Sequence, residues 1–110
     1  MTFSLNSATL VGRISDYGVK LTKEGKATCA LELTEMGRDE RVHRSFITVE
    51  IWGKEGAPAA MQMLPGSVVL VNGQVRPKKV KEQWTLVIAA REFVLLDRMT
   101  EREYDTEPVG

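Results

Sequence analysis

Phe46 and Trp52 are the side chains best placed to do chemistry in this chain of 110 residues, and the chemistry they offer is stacking. They lie in residues 43–54, His-Arg-Ser-Phe-Ile-Thr-Val-Glu-Ile-Trp-Gly-Lys, which alternate at the two-residue period of a half-buried strand. Ile47, Val49 and Ile51 face one side, so Phe46, Thr48, Glu50 and Trp52 face the other. At a rise of roughly 3.3 Å per residue the two rings stand about 20 Å apart. Several unstacked bases of a single nucleic-acid strand can lie along such a face. The pattern equally suits a face covered by a second sheet or another subunit, and the stretch alone leaves both readings open.

Base stacking works together with cations that neutralise phosphates. Lys20, Lys23 and Lys26 fall in a polar segment with a turn glycine at Gly25, while Arg76, Lys78, Lys79 and Lys81 crowd the approach to Trp84 with only Glu82 opposing. Arg44 and Lys54 bracket the aromatic strand itself. Loop lysines can also serve merely to keep a sheet edge soluble. The 15 basic and 15 acidic residues cancel overall, but residues 1–96 hold 13 basic against 10 acidic and residues 97–110 hold 2 against 5. A mildly basic body is followed by an acidic end.

Catalysis finds no footing. The carboxylates are scattered among basic residues without a spacing that pairs them. Cys29 and His43 are each the single residue of their type, so neither a disulfide framework nor a His/Cys zinc site can form within one chain. No cofactor is implied. No stretch nears the ~20 apolar residues of a membrane span, and the N-terminus lacks the basic start and apolar run of an export signal. A cytoplasmic protein in a reducing compartment is expected.

The framework that positions these residues reads as one domain over residues 1–96, with 97–110 as a mobile acidic tail. Residues 7–14 form a first strand that Gly12 allows to bend. Residues 27–34 form a second, with Ala27, Cys29, Leu31 and Leu33 inward and Thr28, Ala30, Glu32 and Thr34 outward. A charged loop over 36–44 leads into the aromatic third strand. Residues 57–64 favour a short helix with Pro58 in its first turn, stopped by Pro65-Gly66. Residues 67–76 form a fourth strand closed by Pro77, residues 76–83 a basic hairpin tip, and residues 84–96 the fifth strand. Five strands with one short helix between the third and fourth is the element order of the OB-fold, an all-β Greek-key barrel. An SH3-like barrel or a small sandwich is the alternative. OB-folds bind oligonucleotides on the face of strands two and three, flanked by the loops between strands one and two and strands four and five. The two lysine clusters fall in those loops.

The chain also resembles the bacterial single-stranded-DNA-binding protein family over roughly residues 5–96. The resemblance rests on residues 6–14 (Asn-Ser-Ala-Thr-Leu-Val-Gly-Arg-Ile), 25–27 (Gly-Lys-Ala), 51–54 (Ile-Trp-Gly-Lys) and 65–75 (Pro-Gly-Ser-Val-Val-Leu-Val-Asn-Gly-Gln-Val). It implies sequence-independent binding of single-stranded DNA in replication, recombination or repair, in association with the nucleoid. Phe46 and Trp52 would be its base-stacking residues on the third strand, with Trp84 near a further contact at the start of the fifth. It also implies a homo-oligomer, dimer or tetramer. Three features depart from the family. Residues 36–41 hold no aromatic where the family stacks another, Val80 stands where its longer hairpin carries one, and the chain stops at Glu107-Pro108-Val109-Gly110 rather than at an acidic Pro-Phe tip that partner enzymes grip. In these respects it is similar to the primosomal accessory proteins of the same superfamily, or to a phage or plasmid homologue. The rival function is an OB-fold protein-interaction module of a replication or primosome complex, its aromatic face used for subunit contacts.

Overall fold

The computed structural model describes residues 5–54 and 56–98. The elements are β1 (Ala8–Ile14), a two-residue β2 (Lys20–Leu21), β3 (Ala27–Met36), β4 (Val42–Ile51), the helix α1 (Gly56–Met61), β5 (Val68–Val80) and β6 (Gln83–Asp97). β1, β5, β6, β4 and β3 are hydrogen-bonded in that order, and β1 returns to β3 to close the barrel. β2 pairs with the start of β3. β4 and β6 run parallel, and the other paired strands are antiparallel. This is the OB-fold that the element order predicts, five barrel strands with the short helix after the aromatic strand.

The core follows from the alternation. Ala27, Cys29 and Leu31 of β3 and Val69 and Val71 of β5 point inward to meet Ile14, Val49, Ile51 and Ile88. α1 packs on this cluster through Ala57 and Ala60, both buried. Two glycines permit the curvature. A side chain at Gly12 would strike the Glu32 carbonyl oxygen where β1 meets β3, and one at Gly73 would strike the backbone of Ala89. β5 and β6 shift register at the second place, since Asn72 pairs with Glu92 but Gly73 pairs with Ala90. Arg91 is the extra residue of that bulge, which bends the sheet and re-aims a side chain.

Residues 76–83 do not form the loop expected of them. β5 continues through Val80, with Pro77 inside it opposite Leu86, and the turn is only Lys81-Glu82. Proline is tolerated because β1 stops pairing with β5 at Gly73, so the missing N–H lies on a strand with a free edge. Lys81 and Glu82 have φ of 48° and 67°, the left-handed pair that matches a two-residue turn to the twist of its strands. The basic hairpin is thus a β-ribbon standing off the barrel. Its base is held by Asn6, whose Nδ2 donates to the Val75 carbonyl at 2.7 Å and whose Oδ1 accepts from the Val75 N–H at 2.9 Å. The charged loop expected over 36–44 also shrinks, because β3 runs on to pair Met36 with Val42. Of the predicted mobile acidic tail, residues 99–110 lie outside the described residues. Among the described residues no helix is long and apolar enough to cross a membrane.

Candidate functional site

Strand register lays out the outer face of the barrel in rows. Lys20, Thr28, Glu50, Ala89 and Gln74 lie in line across five strands, followed by Ala30, Thr48, Val87 and Arg76, and then by Glu32 beside Phe46. The side chains between the aromatics are thus mostly small, a floor against which a flat ligand can lie. Phe46 is 61% exposed and Trp52, one residue past the end of β4, is 49% exposed. Both occupy the face that the alternation assigns them.

Glu50 does not behave as a solvated member of that face. It is 7% exposed, and its Oε2 accepts from Lys26 Nζ and from Lys78 Nζ, each at 2.7 Å. Burial acts to raise the Glu50 carboxyl, but the hydrogen bonds and charges of the two lysines outweigh it and hold the group below its ordinary value. Lys26 is raised, first by its hydrogen bond to Glu50, with burial opposing. Its Nζ also lies 3.4 Å from Glu24 Oε2 and 4.9 Å from the centre of the Trp52 ring. Lys26 therefore differs from the sequence expectation. It is 6% exposed, a buried partner of Glu50 and Trp52 rather than a free groove cation. Lys78 is half committed in the same way, its side chain 42% exposed.

The other expected cations are placed as follows. Lys20 is exposed on β2 with its Nζ 5.9 Å from the Tyr17 ring, and Lys23 and Lys54 are exposed in turns. Arg44 lies on β4 with its Nε 3.6 Å from Glu32 Oε1. Arg76 is on the outer face of β5, with Nη2 donating to Gln74 Oε1 at 3.4 Å. Lys79 and Lys81 are exposed at the ribbon end, Lys79 paired across it with Trp84, which is 70% exposed. Beyond Lys26 the barrel thus gathers Phe46, Trp52, Arg44, Arg76 and Lys78 on one face. Lys20 and Lys23 flank it on one side and the ribbon residues on the other.

Two residues escaped the sequence reading. Tyr17, an exposed aromatic, sits at the turn after β1, and its Asp-Tyr-Gly setting was a usable signal. Arg91 joins Trp52, Gln74, Arg76, Ala89 and Ala90 in lining an open cleft of about 330 Å³. Only the parallel register of β4 and β6 brings it beside Trp52. Elsewhere, His43 Nε2 lies 3.0 Å from Asp39 Oδ1 in the β3–β4 turn, a contact that lowers the Asp39 carboxyl. Burial pushes the Cys29 thiol up to about 11. Among the described residues no three His, Cys, Asp or Glu side chains gather as metal ligands.

Residues 5–96 match the model of the family described as Single-strand binding protein family. The chain is 27% identical over 97 residues to "Single-stranded DNA-binding protein 1" of Nostoc sp., covering 87% of this chain and 82% of that protein. It is also 27% identical over 107 residues to the "Single-stranded DNA-binding protein" of Thermosynechococcus vestitus, covering 94% and 89%. Among solved structures, one described as "Plasmodium falciparum SSB complex with ssDNA" superposes with a TM-score of 0.72 at 20% identity, over 88% of this chain and 99% of that one.

Proposed function

The chain belongs to the single-strand binding protein family, and from that membership we propose that it binds single-stranded DNA without sequence preference, as a binding protein and not an enzyme. Bases stack on Phe46, Trp52 and Trp84, and phosphates are met by Lys20, Lys23, Arg44, Lys54, Arg76, Lys79 and Lys81, with Lys78 shared between Glu50 and the strand. The observation that carries this reading is the exposure of Phe46 and Trp52 at two ends of one floor of small side chains. Stacking on an indole quenches its fluorescence. Titration with oligo-dT is therefore expected to quench Trp52 and Trp84, and an unchanged signal would overturn the proposal in favour of a protein-interaction module.

A second face supports a homo-oligomer. Val11, Leu70 and Val94 lie in one row on the outside of β1, β5 and β6, with Val11 and Val94 exposed and Leu96 exposed beside them. Covering this face leaves the aromatic face of β4 free for DNA. Light scattering after size exclusion is expected to give a dimer or tetramer, and a monomer at micromolar concentration would refute it. The domain over residues 1–96 carries this activity, and the acidic residues of 97–110 compete with phosphates at low salt. The setting is replication, recombination or repair at the nucleoid in the cytoplasm.

A further inference from the structure

Trp52 has two unlike flanks. Ile51 pairs with Ala27 on one side and Ala90 on the other, which puts Lys26 on the β3 flank of the neighbouring indole and Arg91 on the β6 flank. The β3 flank is closed. Lys26 Nζ sits 4.9 Å from the ring centre and is held there by Glu50 at 2.7 Å, so an ammonium already occupies the side on which a base would stack. The β6 flank opens on the cleft of about 330 Å³ lined by Trp52, Gln74, Arg76, Ala89, Ala90 and Arg91. Its size is at the low end of small-ligand pockets, roughly 300 to 1,000 Å³. That gives room for one nucleotide unit rather than several. Ala89 supplies a small side chain on the floor, Ala90 turning its own toward the core, and two guanidiniums offer the planar donors that suit a phosphate. Arg91 shares the outward face of Ala89 on β6 and, as the extra residue of the β5–β6 bulge, has no partner on β5.

We propose that this cleft is a one-nucleotide subsite. One base stacks on the β6-facing side of the Trp52 indole above Ala89, and the adjoining phosphate is taken by Arg91 and Arg76. Glu50 is a positioning residue that makes the site one-sided by fixing Lys26 against the opposite side of the ring. The inference rests on the single-stranded DNA reading and adds a path to it. The strand leaves Trp52 toward β6 and β5, not toward the Lys20 to Lys26 segment.

The test uses the full chain carrying Trp84→Phe, so that Trp52 alone reports, with oligo-dT as ligand over a series of salt concentrations. Arg91→Ala is expected to weaken binding several-fold and to reduce the slope of log K against log salt by about 0.7, one neutralised phosphate on a single strand. The saturating quench should be unchanged, and Arg91→Lys should restore most of the slope. Glu50→Gln releases Lys26 and Lys78. It is expected to steepen the slope by about 0.7 for each lysine that then reaches a phosphate, and to change the saturating quench as the second side of the indole opens. An Arg91→Ala protein with unchanged affinity and slope overturns the subsite while single-strand binding stands. Weaker binding at unchanged slope also overturns it, because the arginine would then hold no phosphate. Failure of the unmodified chain to bind oligo-dT at all overturns the underlying reading, and the subsite with it.

Discussion

Trp52 and Trp84 are both exposed indoles with a lysine over the ring, yet they are held in opposite ways. Trp52 stands on the barrel wall, and its lysine is buried, locked to Glu50 and close to the ring centre at 4.9 Å. Trp84 rides on the ribbon, where Lys79 reaches across at 5.9 Å from an exposed position. A ring already held in its binding geometry loses little freedom when a base arrives, whereas a ring on a projecting ribbon must be ordered at that moment. Similar stacking energy should therefore appear as more affinity at Trp52 than at Trp84.

Substitution at the two rings tests the difference directly. Stacking contributes about 1 to 3 kcal/mol per base by alanine replacement, so Trp52→Ala should weaken oligo-dT binding by roughly tenfold or more. Trp84→Ala should cost only about two- to fivefold because ordering of the ribbon offsets part of the gain. Anisotropy of labelled oligo-dT measures both, and equal losses would erase the distinction. Neither change should alter the salt slope.

The locks beneath the rings differ next. Glu50→Ala leaves the buried Lys26 ammonium without its main counter-ion. Breaking a fully buried pair costs about 3 to 5 kcal/mol, and the partial exposure of Lys78 reduces this to about 2 kcal/mol. Urea unfolding should register it, whereas Lys79→Ala at the other ring should change stability by less than about 0.5 kcal/mol. Acid distinguishes the two sites in the same sense. The Glu50 carboxyl is held below its ordinary 4.5, so its contribution is complete above that pH and is lost as pH falls through the lower folded-state value. The urea midpoint should thus drop more steeply below about pH 4.5 in the wild type than in Glu50→Gln. Asp39, also lowered, adds to the fall in both proteins.

The smallest effect belongs to the ribbon turn. Lys81 and Glu82 occupy left-handed backbone that non-glycine residues adopt at a cost. Glu82→Gly, which keeps the Lys81 cation, should stabilise the chain by about 0.5 to 1 kcal/mol and raise oligo-dT affinity less than about threefold by stiffening the support of Trp84. A larger gain in affinity would mean that ribbon flexibility, not ring count, limits that end of the site.

The barrel was legible because its signals are local. Alternation around Leu31 and Val49 marks inward faces, Gly12 and Gly73 mark bends, and Ala57 with Pro65-Gly66 delimits the helix. The aromatic face was legible for the same reason, since Phe46 and Trp52 share one parity on one strand. What the sequence hid depends on contacts between distant segments. Lys26 and Glu50 are 24 positions apart and Lys78 lies 28 beyond Glu50, so counting lysines in loops overstated the free cations. Glu50, the lone carboxylate of its strand and flanked by Val49 and Ile51, was the available hint that a cation covered it. Arg91 was concealed inside an apolar run because only the pairing of β6 with β4 places it beside Trp52. Pro77 read as a strand end because proline usually is one. Here a free edge makes it harmless.

That free edge has a further consequence for how copies of the chain meet one another. Along β5 past the barrel, backbone groups alternate between β6 and open water, and Val75 faces the open side because it bonds Asn6. Residues 77 and 79 share that orientation. Asn6 saturates the first of the three positions, Pro77 has no N–H to offer at the second, and only Lys79, itself charged, retains a donor at the third. An extended strand from a neighbouring molecule would find a single N–H to grip along this edge of β5. The β5 side of the ribbon is therefore a poor template for a neighbouring strand, because it gives that strand few donors to copy.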